Sequence, residues 1–123
     1  MAFVATALVS IVILAACNGN DDDAGNDNDS AGIDVDLGEM VFEPDTITAV
    51  AGSALTINLE NVDGQFHDFT IDDFDGDQVQ VRLDPDETDS ITLELPDAAT
   101  EFTFYCSVPG HQALGMEGTI VVE

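Results

Sequence analysis

Residues 104–116 read FYCSVPGHQALGM. Within them Cys106, His111 and Met116 are spaced C-x4-H-x4-M, in a chain that has two cysteines, two histidines and three methionines in all. A thiolate, an imidazole and a thioether on one short loop are metal ligands of graded softness. The other histidine, His67, stands well upstream in GQFHDFTID. Two histidines and a cysteine with a weak axial methionine make the trigonal site that holds copper for electron transfer. Zinc also takes Cys and His. A thioether, however, is a poor zinc ligand and a good one for Cu(I), so Met116 favours copper. The competing chemistry is a nucleophilic Cys106 with His67 or His111 as its base. That pair needs an oxyanion site and an orienting third group, and the chain carries no signature of either. The plainest alternative is a buried inert thiol, which leaves His111 and Met116 on the same loop without a reason.

Strands must position these residues. From Ile33 onward, short runs rich in Val, Ile, Thr and Phe alternate with Gly, Asp and Pro clusters. No helix-sized window has a 3.6-residue apolar period. The expected strands are 34–42, 46–50, 54–60, 66–72, 77–83, 89–95, 101–106 and 117–122. Many short, closely spaced strands point to an all-β fold, a Greek-key antiparallel sandwich of about seven to eight strands. A domain of about 90 residues buries a little over 60 % of its unfolded surface, enough for one core. With a strand period of two, Phe102, Phe104 and Cys106 share one face, as do His67, Phe69 and Ile71. Cys106 and His67 are therefore expected to point into the core near strand ends and to meet across it. After Cys106 comes a loop: Pro109 restricts the backbone and Gly110 allows a tight bend. Met40 is expected on a strand, in packing rather than ligation. In DDFDGD, Gly76 sits where an EF-hand glycine belongs. The first and last ligand positions would then be Ile71 and Arg82, so the loop is not an EF-hand.

The chain divides into three. Residues 2–16 are apolar throughout, and at about 1.5 Å per residue such a helix falls short of a membrane's hydrocarbon core of about 30 Å. The length suits a signal-peptide core. The run ends in LAAC, and small residues before a cysteine resemble the lipoprotein signal, in which Cys17 would be the lipidated first residue of the mature protein. A plain secretory signal with an incidental Cys17 is the alternative. No Lys or Arg precedes the run. Residues 1–17 are thus expected to be a signal segment and 18–32 an acidic, disordered tether. Residues 33–123 are expected to form the folded domain. Asn28-Asp29-Ser30 matches the glycosylation sequon, a short and common motif.

Of the 123 residues, 26 are Asp or Glu and one, Arg82, is basic, for a net charge of −25. Nucleic acid is excluded as a partner, because displacing its counterions takes Lys and Arg. Such a charge strains a compact fold by self-repulsion, which molar salt screens. The composition reads as that of a protein of concentrated brine, with an ordinary acidic secreted protein as the alternative. The melting temperature is accordingly expected to rise from dilute buffer to molar salt; a fall would refute the brine reading.

The loop C-x4-H-x4-M after F-x-F-Y-C, with the upstream H-D-F, resembles that of the cupredoxins, small blue copper proteins. The stretch FEPDTITAVAGSALTINLENVDGQFHDFTID is similar as well: Phe42-Glu43-Pro44, a strand near Ile47 to Val50, Gly52, Leu55 to Leu59, then His67. The likeness covers residues 33–123 and is nearest to plastocyanin-like and halocyanin-like members, with a ligand-loop spacing closer to rusticyanin and sulfocyanin. It implies one copper ion with His67, Cys106 and His111 in plane and Met116 axial, and His111 as the electron port at the surface. Asp68 and Pro109 would support the ligands. Relatives often carry Asn at the position of Asp68, where it ties the two ligand segments together. A carboxylate accepts such bonds but donates no amide proton, which leaves that tie open here.

The resemblance implies a carrier of single electrons, not an enzyme. Membrane-associated redox proteins would dock transiently near His111, on Pro109, Ala113 and Leu114. A lipid anchor at Cys17 would hold the domain on the extracytoplasmic face of the membrane. Copper capture or delivery without a redox role is the alternative. A copper oxidase or nitrite reductase fragment needs further ligands, and the chain has only two histidines.

Overall fold

The computed structural model describes residues 32–123. The signal segment, Cys17 and the acidic tether lie outside the described residues. Among the described residues nine strands follow one another: β1 (Ile33–Gly38), β2 (Val41–Glu43), β3 (Thr46–Ala49), β4 (Ala54–Asn61), β5 (His67–Phe74), β6 (Asp77–Leu83), β7 (Thr88–Glu94), β8 (Thr100–Tyr105) and β9 (Glu117–Val122). A 3₁₀ turn, Gln112–Leu114, lies between β8 and β9. The strands form two sheets, ordered β2-β1-β4-β7 and β3-β9-β8-β5-β6, and the all-β sandwich is the observed fold.

Two details differ from the sequence expectation. The run 34–42 is two strands, because the chain reverses at Glu39 and Met40, both with positive φ (52° and 64°). Gly38 pairs with Val41 across this two-residue turn, the geometry of a primed hairpin. Neither residue is a usual choice for it, so the break carried no turn signature. Met40 sits at this turn, half-buried, and not within a strand. The sheets are also mixed rather than wholly antiparallel: β1 lies parallel to β4 and β3 parallel to β9. In each case the chain visits the opposite sheet before returning, and such crossings permit parallel neighbours where tight hairpins do not.

Alternation builds the core. Along β4, Leu55, Ile57, Leu59 and Asn61 point inward while their neighbours face out. Strands β1 and β9 add Val35, Leu37, Ile120 and Val122. At the centre, three fully buried rings pack together. Phe104 stacks on Phe69 at 4.8 Å between centroids and meets the edge of Phe42 at 5.0 Å. Room for Phe104 comes from its cross-strand partner, Gly118. A Cβ there would collide with the Phe104 ring and with the Asp45 carbonyl.

The sandwich has two poles. At one gather the β1–β2 turn, the β4–β5 loop, the β6–β7 loop and the loop between β8 and β9. At the other lie the turn before β4, the Asp75–Gly76 turn and the segment before β8. Cys106 and His67 stand at the first pole, where β8 ends and β5 begins.

Candidate metal centre

The β8–β9 loop is built by its own backbone. Val108, Pro109, Gly110 and His111 form a turn closed by the His111 N–H donating to the Val108 carbonyl at 3.0 Å. Pro109 takes its second position and Gly110, at φ 87°, its third, as a type II turn requires. A 3₁₀ turn follows, and Gly115 at φ 103° ends it. The Cys106 N–H then donates to the Met116 carbonyl and the Met116 N–H to the His111 carbonyl, each at 3.1 Å. Three residues of different chemistry are thereby held on one closed loop, and Met116 is fully buried.

The period-two reading turns His67 inward as expected, but His67 meets Cys106 from beside it and not across the core, because β5 and β8 are neighbours in one sheet, with Thr70 paired to Tyr105. His67 is 1 % exposed and Cys106 fully buried. The Nδ1 atoms of His67 and His111 lie 3.2 Å apart. Cys106 Sγ lies 3.5 Å from His111 Nδ1 and 3.9 Å from His67 Nδ1. A point equidistant from the three atoms is about 2 Å from each, the length of a metal–ligand bond. The donor set therefore fits one ion without rearrangement. Among the described residues this is the one group of donor side chains so gathered. Cys106 is free, with no disulfide.

Electrostatics favour a cation here. Burial pushes the Cys106 thiol above its ordinary range; the Asp68 and Val108 N–H groups pull it down, and the carboxylates of Asp68 and Asp63 push it up again. The thiol keeps its proton at neutral pH until a metal displaces it, so loading releases a proton and weakens as pH falls. The Asp68 N–H donates to Sγ at 3.4 Å, a contact that tempers the charge on a metal-bound thiolate.

Asp68 is buried and takes three hydrogen bonds: from the Ser107 N–H at 2.7 Å, the Thr70 hydroxyl at 2.9 Å and the Ser107 hydroxyl. The question left by the missing amide is answered by Ser107. It supplies both donors, so an acceptor-only side chain joins the His67 strand to the Cys106 loop. Gln80 extends the network to Thr70 and Ser107, which explains why β5 is buried on both faces near the site. Pro109 is exposed, and its contact with the site runs through the turn it shapes.

Sequence reasoning missed Asp63. Its Oδ2 lies 2.9 Å from His67 Nε2 and also accepts the Glu39 N–H at 2.8 Å, while Oδ1 accepts the Gln65 N–H at 2.8 Å. Burial raises the Asp63 carboxyl, but the bonds from His67, Gln65 and Glu39 outweigh it and hold the group below the usual carboxylate range. The only signal was an aspartate four residues before a histidine, in a chain crowded with aspartate.

Of the two histidines His111 is the more accessible, at 7 %. Pro109, Ala113 and Leu114 are exposed on the same loop, and Phe66, 55 % exposed, precedes His67.

The model of the cupredoxin-like domain matches residues 5–122. No curated protein matches the chain. Among solved structures, reduced auracyanin from the photosynthetic bacterium Roseiflexus castenholzii is 19 % identical, with a TM-score of 0.64 over 76 % of this chain and 98 % of that one. Auracyanin A, a blue copper protein from the green thermophilic photosynthetic bacterium Chloroflexus aurantiacus, is 24 % identical, with a TM-score of 0.63 over 75 % and 98 %. A reduced Cu(I) form of an amicyanin variant is 20 % identical, with a TM-score of 0.59 over 76 % and 83 %. At these identities the likeness is one of fold.

Proposed function

Because the chain belongs to the cupredoxin-like domain family, we propose that it carries single electrons between redox partners, as a carrier and not an enzyme. The cofactor is one type 1 copper ion, and His67, Cys106, His111 and Met116 are assigned as its ligands. The observation that carries this reading is the triangle of three buried donor atoms, 3.2 to 3.9 Å apart, at bonding distance from one common point. Bound copper supplies a one-electron couple between Cu(II) and Cu(I).

The protein supplies rigidity and access. The closed β8–β9 loop and the Asp68 junction hold the donors in one arrangement, so little motion opposes gain or loss of an electron. His111 offers the accessible ring edge. The exposed Pro109, Ala113, Leu114 and Phe66 around it form a small apolar rim, suited to the brief, small interfaces of redox encounters.

The finer reading is that the domain works at the extracytoplasmic face of a membrane. Residues 1–17 are its lipoprotein-type signal, Cys17 its lipid attachment and residues 18–32 its acidic tether. Confinement to a surface raises the effective concentration of membrane-associated partners. The charge of −25 fits work in brine, where repulsion is screened.

The test has two arms. Copper-loaded protein is expected to gain and lose its colour reversibly in voltammetry while keeping its copper against a chelator. Ready release of copper without a reversible couple would mean a capture or delivery protein instead. Mass spectrometry of the mature N-terminus is expected to show an acylated Cys17, and an unmodified Cys17 would end the anchor.

A further inference from the structure

His67 and His111 present the same ring atom, Nδ1, to the centre, but their far sides differ. The Nε2 of His67 faces Asp63 at 2.9 Å, whereas among the described residues no partner is hydrogen-bonded to the Nε2 of His111. His67 itself is wholly covered, and the Asp63 side chain is 18 % exposed. That carboxylate is firmly placed. It accepts the N–H groups of Glu39 and Gln65, and its own N–H donates to Asn61 Oδ1 at 3.2 Å. Asn61 in turn donates to the carbonyls of Gln65 and Leu83. The Val62 N–H donates to the Leu37 carbonyl at 2.9 Å. A loop that crosses from one sheet to the other is thus pinned at both edges, with an anion aimed at the back of a buried ring.

A histidine whose outer N–H meets a carboxylate is held in one tautomer and one orientation, and becomes a more basic ligand. Resting on the electron-carrier reading above, we propose that Asp63 is a positioning residue of the copper couple. Its carboxylate takes the His67 Nε2–H, leaves the Nδ1 lone pair for the metal, and favours Cu(II) over Cu(I). The positively charged oxidised centre gains more from a basic ligand and a nearby anion than the reduced one does. The two histidines then divide the work: His67, backed by an anion, sets the potential, and His111 passes the electron. The β1–β2 hairpin takes part as well, since Glu39 orients the carboxylate.

Three measurements test this. In copper-free protein, nitrogen NMR is expected to show His67 chiefly as the Nε2–H tautomer, and Asp63→Asn to raise the Nδ1–H share. In copper-loaded protein, Asp63→Asn is expected to lower the preference for Cu(II) over Cu(I) about tenfold, which is a rise of about 59 mV for a one-electron couple. Asp63→Glu, which keeps the charge, should restore most of that loss. Asp97→Asn at the opposite pole removes an equal charge and should leave the potential nearly where it was. A wild-type apoprotein with His67 in the Nδ1–H form overturns the assignment whether or not copper binds. So does an Asp63→Asn potential that moves no further than that of Asp97→Asn. The expected tautomer in a protein with no reversible copper couple overturns the electron-carrier reading beneath it, so the two failures are told apart.

Discussion

Cys106→Ser is expected to abolish the blue absorption and the reversible redox response expected of the copper-loaded protein, while the sandwich stays folded. Both signals need a thiolate. Its soft sulfur shares electron density with copper, and that covalency is what blue-copper sites use. A serine hydroxyl in the same place is a hard oxygen donor that remains protonated. The two histidines would still lie close together, so some copper would bind, as a pale and slowly exchanging centre. The fold should survive because Cys106 follows the last paired residue of β8 and the exchange is nearly isosteric. Absorption spectroscopy and voltammetry on copper-loaded variant, beside circular dichroism of the apoprotein, decide the matter. Persistent blue colour would remove Cys106 from the site altogether.

The second large effect concerns the scaffold. Phe104→Ala is expected to destabilise the copper-free domain by about 3–5 kcal/mol, out of a total of about 5–15 kcal/mol for a domain. Phe104 is fully buried, stacked on Phe69 and edge-on to Phe42, and the gap left by its ring cannot close. Its neighbour across the ladder, Gly118, has no side chain to move in. At about 4–8 °C per kcal/mol for a domain of this size, melting falls by roughly 20 °C. Copper should recover part of the loss, because a ligand that binds only the folded state stabilises it. Urea unfolding with and without copper measures both quantities. A loss under about 1 kcal/mol would mean that the three-ring cluster is not the centre of the core.

Both predictions draw on features that differ in how far they could be read from the chain. The ligand loop was legible because its residues are rare here and local: C-x4-H-x4-M needs no tertiary knowledge. His67 was legible because period two carries it to the same face as Phe69 and Ile71. Asp68 was half legible. Its position was evident, but the donors that satisfy it, from Ser107 and Thr70, depend on the loop folding back over β5. Asp63 was hidden for a different reason. One carboxylate among 26 acidic residues has no distinguishing mark until the β4–β5 loop places it behind the ring. The split of the first strand escaped because Glu39 and Met40 carry left-handed φ without the Asn or Gly that usually announces it. The parallel pairs escaped because neighbours in a sheet are set by crossings between layers, which no local pattern records.

The parallel pairing of β1 with β4 has a mechanical result. Ile33 sits opposite Ile57, and Leu37 opposite Asn61, so β1 runs toward the copper end and the chain enters the domain from the other side. Whatever grips the polypeptide ahead of residue 32 must grip the molecule by its tail. A pull there leaves the His111 rim pointing outward, like the lamp of a lantern hung from above.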